Sequence, residues 1–440
     1  MFSRKDITRL MIPLIIEQLL AVLVGMVDVI MVASVGEAAV SGVSLVDSIS
    51  ILIISLMAAL ATGGAVVCAQ YIGKKEPKMA TQAAGQLLLV ATTVAVAVTI
   101  IALIGNRHFL SAIFGKLDQQ VLDDAVTYFF LVALSYPCLA VYNSCAALYR
   151  SMGNSKISMQ VSMLMNGINV VGNAICIYGL HMGVEGVAIP TLISRGVAAV
   201  VMMKLIQNPD NIIRITSFSD LIPNRMLIGK ILQIGVPNGV ENSMFQIGKI
   251  GLQSLTASLG TAAIAGNAVG YNLATIMYLP GTALGLGLIT IVGQCVGAGR
   301  HGEAKKYTKQ IIVVNYGILL VLCTLLIVFR HQLVGIYNLS QEASNLAVAL
   351  MTSHALCMVI WPLGFTLPYT LRASGDVKFT LVTSVGCMWF CRIGLAYVFV
   401  KVLGHGVLSI WVAMYIDWVV RVVLYLWRFR GFENRRIGLV

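Results

Sequence analysis

The chain has 440 residues, 58% of them hydrophobic and only 11% charged, with a formal net charge of +12. A soluble domain carries about 25% charged residues, so composition excludes a water-exposed globular protein. It excludes a nucleic-acid-binding module too, because the basic residues sit in short clusters between apolar runs, the pattern of topology signals.

Backbone groups in lipid must be satisfied within the segment, which leaves helices or closed barrels. The apolar runs 87–104 and 311–329 lack the alternation of barrel strands and are long enough to span as helices. The chain therefore reads as an all-α integral membrane protein. Twelve spanning helices are predicted, in two pseudo-symmetric bundles of six.

In the first half the predicted spans are 7–33, 41–70, 81–104, 123–149, 157–179 and 184–206. The first carries Pro13, Glu17 and Asp28, and the second carries Asp47. The apolar run from Leu10 leads directly into another span, so it does not read as a cleavable signal peptide. The fifth holds Ser162, Asn166, Asn169 and Asn173, whose spacing sets them in one stripe. The sixth holds Thr191 and, one turn later, Arg195.

Residues 207–226 are polar with two prolines and read as a cytoplasmic linker between a lobe 1–206 and a lobe 227–440. The spans that follow are 227–258, 262–294, 305–329, 343–371, 379–401 and 406–429. The seventh shows a second stripe of Asn238, Asn242, Gln246, Lys249, Gln253 and Thr256. Arg392 lies in the eleventh span, Asp417 and Arg421 in the twelfth. Pro13, Pro137, Pro237, Pro280, Pro362 and Pro368 are candidate kinks.

With the N-terminus in the cytoplasm, 22 of the 30 Lys and Arg fall on cytoplasmic segments. The outer loops hold only Arg107, Lys116, Arg330 and Lys401. Both termini are therefore expected inside. The nine cysteines are scattered and show no disulfide or zinc spacing, so no structural metal is expected.

The halves match at an offset of 224 residues. Pro13 and Glu17 pair with Pro237 and Glu241, Gly36 with Gly260, Gly42 with Gly266, and Gln70 and Gly73 with Gln294 and Gly297. Further on, Arg150-x-x-Gly153-x-x-Lys156 resembles Arg372-x-x-Gly375-x-x-Lys378. An even number of helices per half makes these parallel repeats, a construction that suits a transporter rocking about a central site.

A charge at the bilayer centre costs roughly 2.5–3.5 kcal/mol on insertion scales. Asp28, Asp47, Asn173 and Thr191 fall at a similar depth and outline a polar pocket in the outer half of the first lobe. Asp28 is its titratable member. Burial favours its neutral form and a nearby cation its charged form. Arg195 is a candidate partner for Asp47 or Asp28. Glu17 lies on the Asp28 face about 16 Å away. It and Glu241 read either as coupling or substrate-cation sites or as polar residues at a proline kink. Lys249, Arg392 and Asp417 read as a partial ion-pair network in which Asp417 neutralises one cation, and Arg421, four residues from Asp417, can pair with it or snorkel.

Pro13-x-x-x-Glu17-Gln18 and the run Met26-Val27-Asp28 through Val35-Gly36 resemble the first helix of the multidrug and toxic compound extrusion (MATE) family. Gln70-Tyr71-Ile72-Gly73, Arg150-Ser151-Met152-Gly153-Asn154 and Arg372-Ala373-Ser374-Gly375-Asp376 fit the same family. The resemblance spans essentially the whole chain. It implies a V-shaped pair of six-helix lobes around a central cavity. It further implies antiport, with amphipathic, often cationic, small organic compounds exported against protons or sodium ions.

The family's ion site carries over to Asp28, Asn169, Asn173 and Thr191, with Asp47 and Glu17 as further coupling candidates. Where many members have Asp this chain has Asn173, and the place of a C-lobe acid in one branch is Phe245, so protons are favoured over sodium. Glu241, Asn242, Gln246, Lys249, Gln253 and Arg392 are the substrate-cavity candidates. No cofactor, no nucleic acid and a monomer in contact with membrane lipid are expected, in a bacterial cytoplasmic (inner) membrane. The alternatives are a lipid-linked precursor flippase and an integral-membrane enzyme. The six histidines are dispersed and no phosphate-loop motif occurs, which argues against the enzyme and against direct ATP drive.

Overall fold

The computed structural model describes residues 1–114, 118–433 and 438. Lys116, Arg435 and Arg436 of the charge pattern lie outside the described residues. The described residues form helices and connecting turns, in two compact units, Phe2–Gly239 and Val240–Leu439. The division falls inside a helix, past the polar segment 207–226 that the sequence marks as the lobe boundary.

The first unit contains α1 (Arg4–Ala33), α2 (Glu37–Gly73), α3 (Pro77–Ile104), the short α4 (Asn106–Phe114), α5 (Gln119–Leu134) and α6 (Tyr136–Ser151). It continues with α7 (Ser155–Ala174), a π-helical turn at Ile175–Gly179, α8 (Glu185–Leu205) and the start of α9 (Arg225–Ala257). Ser3 caps α1 by accepting from the Asp6 amide, and the Asp6 carboxylate accepts from the Ser3 amide in return. This unit buries Val46, Phe129, Val132 and Tyr136 together in one apolar cluster. Ile101 and Ile104 point outward at 68% and 83% exposure, an apolar surface that only lipid accommodates.

The second unit holds the rest of α9, then α10 (Thr261–Gly297), α11 (His301–Val328), the short α12 (Arg330–Gly335) and α13 (Gln341–Cys357). A π-helical segment at Pro362–Thr366 leads to α14 (Leu367–Ala373), then α15 (Val377–Gly386). Further π turns flank α16 (Leu395–Tyr397), and α17 (Val407–Arg430) closes the unit. Its core gathers Met277, Leu350, Met351 and Trp411, and the Trp411 indole donates to Asn267 at 2.8 Å.

Among the described residues nine helices are long and apolar enough to cross a membrane, and up to eleven if two bent pairs each count as one. α9, the seventh predicted span, is 33 residues long but too polar to pass on apolarity. The bends sort the candidate prolines. Breaks of 44° and 70° occur at α5–α6 and between α13 and Pro362–Ala373, beside Pro137 and Pro362. Pro13, Pro237 and Pro280 sit inside unbroken helices.

Segment 207–226 is strapped onto the first unit. The Gln86 side-chain amide donates to the carbonyls of Asp220 (3.2 Å) and Ile222 (2.9 Å) and accepts from the Asn224 amide (2.9 Å). Gly85 lets the strap approach α3: a Cβ there would stand 2.1 Å from the Asp220 carbonyl oxygen. Ile213 is fully buried, and Asn211 donates to the Tyr149 hydroxyl at 3.1 Å.

The two Arg-x-x-Gly motifs build the same turn. Gly153 and Gly375 have φ of +84° and +91°, which a side chain rarely adopts. Their amides donate to Arg150 and Arg372, and the next amides reach back to Tyr149 and Leu371. Each turn ends its helix with the arginine in the last turn, where it meets the repeated glutamate. Arg150 lies 3.6 Å from Glu17 and Arg372 lies 2.6 Å from Glu241.

Candidate functional site

The first unit encloses a cavity of about 240 Å³ lined by Asp28, Asp47, Asn166, Asn169, Thr191 and Arg195, with valines completing its wall. Each polar residue comes from a different turn of an apolar helix: α1 supplies Asp28, α2 Asp47, α7 the asparagines and α8 Thr191 and Arg195. The α7 stripe expected from spacing is real, since Asn169 and Asn173 are buried one turn apart.

Asn173 donates to Asp28 Oδ1 at 2.9 Å. Amide orientation follows from the hydrogen-bond network. With the Asn169 nitrogen turned to the carboxylate, it donates to Asp28 Oδ1 at 3.0 Å and Oδ2 at 3.3 Å, while its oxygen accepts from Thr191 at 3.0 Å. The opposite orientation sets the amide oxygen against the carboxylate. Asp28, Asn169, Asn173 and Thr191 thus form one bonded cluster. Asp28 Oδ1 takes both short bonds, so Oδ2 is the freer oxygen. The Asn173 carbonyl oxygen is buried without a partner.

Among the described residues Asp47 accepts one long bond, 3.4 Å, from Tyr128. Arg195 donates to Ser135 at 2.7 Å and forms no ion pair with Asp28 or Asp47 among the described residues. The pairing considered from sequence is therefore absent. Ser135 ends α5 at the 44° break and holds the guanidinium. The cavity holds two carboxylates and one cation, each bonded to neutral groups.

Glu17 does not line this cavity. Besides Arg150 it accepts from Ser158 at 3.0 Å. In the second unit Glu241 and Asn242 line a cavity of about 160 Å³ together with Arg372 and Arg421. Lys249 and Arg392 line another, of about 200 Å³. Gln246 and Gln253 line neither, and Gln253 is exposed.

The expected network of Lys249, Arg392 and Asp417 does not form. Asp417 is taken by Arg421 one turn along α17, at 2.7 Å, which leaves both other cations without a carboxylate among the described residues. Sequence reasoning missed His354, whose neighbours Trp411 and Trp418 are more than fifty residues away. It missed the Glu–Arg pairs too, although the repeat carried the signal: glutamate and arginine recur together.

Comparison with known proteins gives a consistent picture. The MatE family profile matches residues 13–175 and 237–398, one match in each half. The chain is 26% identical over 431 residues to the uncharacterized transporter YisQ of Bacillus subtilis, covering 95% of this chain and 92% of the relative. It is 24% identical to the probable multidrug resistance protein NorM of Thermotoga maritima, covering 96% and 91%. A solved structure of a multidrug resistance MATE family transporter of the MOP superfamily, in an outward-facing conformation, matches with a TM-score of 0.92 at 22% identity. That match covers 98% of this chain and 97% of the other.

Proposed function

The chain belongs to the MatE family of membrane transporters, and on that premise we propose that it is a secondary antiporter exporting amphipathic or cationic small organic compounds. Export is driven by inward flow of protons through the Asp28 cluster, by alternating access. The observation that carries this reading is an intramembrane carboxylate held by two buried amides in a polar cavity, with no cation in ion-pair contact with it among the described residues. An ionisable residue in a membrane interior marks an ion or substrate path.

The chemistry follows from the bonds. Asn169 and Asn173 hold Asp28 Oδ1, and Oδ2 takes and releases the proton. Protonation removes the charge from the cavity and lowers the cost of closing it off from water. The four residues also offer oxygens to a sodium ion, the alternative coupling ion. Their bonding favours the proton, because two amide nitrogens point at the carboxylate and leave it less free to ligate a metal. The basic clusters support cytoplasmic termini and a place in the bacterial cytoplasmic membrane. A monomer suffices, since each unit carries its own cavities.

The test is efflux of a dye panel in inverted membrane vesicles with pH and sodium gradients imposed separately. The proton reading expects dye movement with the pH gradient alone and its loss in Asp28→Asn, with the variant still folded. Wild-type rates in Asp28→Asn under the same gradient would show that the coupling site lies elsewhere.

A further inference from the structure

The second unit's 200 Å³ cavity has a chemistry opposite to that of the Asp28 pocket. Lys249 and Arg392 line it, and no carboxylate does so among its described lining residues. Two acids of this unit pair with other cations through one oxygen each: Asp417 with Arg421 at 2.7 Å, Glu241 with Arg372 at 2.6 Å. Lys249, Arg392 and Arg421 all stand within 6.0 Å of the Phe245 ring centre, so three cations gather around one aromatic ring.

Unspent hydrogen-bond donors converge on the same space. Arg392, 3% exposed, donates to the Tyr271 hydroxyl at 3.1 Å and to the Met414 sulfur at 2.7 Å, but its Nε is buried without a partner. His354 is 3% exposed and neither ring nitrogen is bonded; a neutral imidazole carries one donor. The Trp418 indole nitrogen is likewise unpartnered. All three residues line the cavity. Buried polar groups without partners are uncommon and each calls for a reason. Two uncompensated cations in a membrane segment call for one more strongly. A bound anion supplies it for all of them, because a carboxylate accepts only and has about four lone-pair positions.

The walls select the rest of the molecule. Tyr278 and Trp361 lie 15° from parallel with ring centres 6.1 Å apart, and Trp361 and Phe365 lie 12° from parallel at 5.3 Å. Flat walls suit a flat ligand. The volume falls below the roughly 300–1,000 Å³ of drug-sized sites, which sets the size at one ring or two fused rings.

We propose that this cavity binds small aromatic carboxylates, with the carboxylate held by Lys249 and Arg392 and the ring among the aromatic side chains of the wall. Binding stands on the cavity alone; that the bound molecule is cargo rests on the transport reading.

The test uses the full chain in phosphatidylcholine nanodiscs and three probes of one shape: benzoate, benzamide and benzamidinium. Saturation-transfer NMR should show benzoate binding at least about tenfold tighter than benzamide, the factor that one charged hydrogen bond supplies, and no benzamidinium signal. Lys249→Met should weaken benzoate by about tenfold or more, and Lys249→Arg should restore it. Lys249 makes no hydrogen bond or ion pair among those described, so its variants keep the fold where an Arg392 variant endangers it. Equal binding of benzamidinium, or benzoate binding indifferent to Lys249→Met, overturns the assignment. Benzoate binding without benzoate uptake in inverted vesicles supports the site and counts against export. Dye efflux with no benzoate binding overturns the site and leaves export standing.

Discussion

Replacing Glu241 with leucine should be among the most damaging single changes in the second unit. Glu241 and Arg372 meet at 2.6 Å with side chains 9% and 11% exposed, and the Arg372 Nε already lacks a partner. The variant leaves a buried guanidinium with no carboxylate. Breaking such a pair from one side costs about 3–5 kcal/mol, whereas replacing both partners with apolar groups is often neutral. For a unit of roughly this size 1 kcal/mol moves the melting temperature by roughly 2–4 °C. Glu241→Leu should therefore melt about 6–20 °C lower. Glu241→Leu with Arg372→Met should recover most of that loss. The repeat supplies an internal control. Glu17 and Arg150 stand at 3.6 Å, and Arg150 keeps further interactions, so Glu17→Leu should cost only about 1–3 kcal/mol. The assay is thermal melting of the purified protein in detergent, read by fluorescence-detected size exclusion. A Glu241→Leu variant that melts with the wild type, or a double variant no better than the single, would refute the reasoning.

Other changes test other parts. Gly85→Leu should expel the strap and expose segment 207–226 to limited proteolysis, while Gly25→Ala, whose added Cβ meets nothing within 4 Å, should not. Gln86→Leu removes three bonds to the strap and leaves peptide groups unpaired, so it should destabilise the first unit by about 1–3 kcal/mol. Gly153→Ala and Gly375→Ala should each cost about 1–2 kcal/mol, since both force a side chain into the left-handed region. Equal melting of the variants and the wild type would remove the role given to those turns.

The helices were legible because lipid leaves so few alternatives: long apolar runs, interrupted by basic clusters, have no other fold. The Asp28 cluster was legible for a related reason. Asn169 and Asn173 repeat at one turn on an apolar helix, and amides in that setting need a partner. What escaped was pairing across distant helices. Glu241 and Arg372 stand 131 residues apart, and only the fold shows that they meet, whereas Arg421 was a candidate partner for Asp417 one turn away. His354 looked like a stray residue because its aromatic neighbours come from another helix. The breaks fall beside two of the candidate prolines, Pro137 and Pro362; what escaped is which candidates break their helix, since Pro13, Pro237 and Pro280 sit inside unbroken ones.

The strap along α3 bears on how this chain can be taken apart. By composition, 207–226 is the obvious place to insert a protease site, cut a gene in two or fuse a reporter. Gln86 and Gly85 make it a poor one. A cut before Asp220 leaves the first fragment without the peptide groups that Gln86 binds, and hands them to the second fragment, which has no use for them. Fragments meant to fold alone should keep residues through the first turns of α9 with the N-terminal piece. A reporter is better placed at Lys75 or Glu76, which are exposed in the turn between α2 and α3.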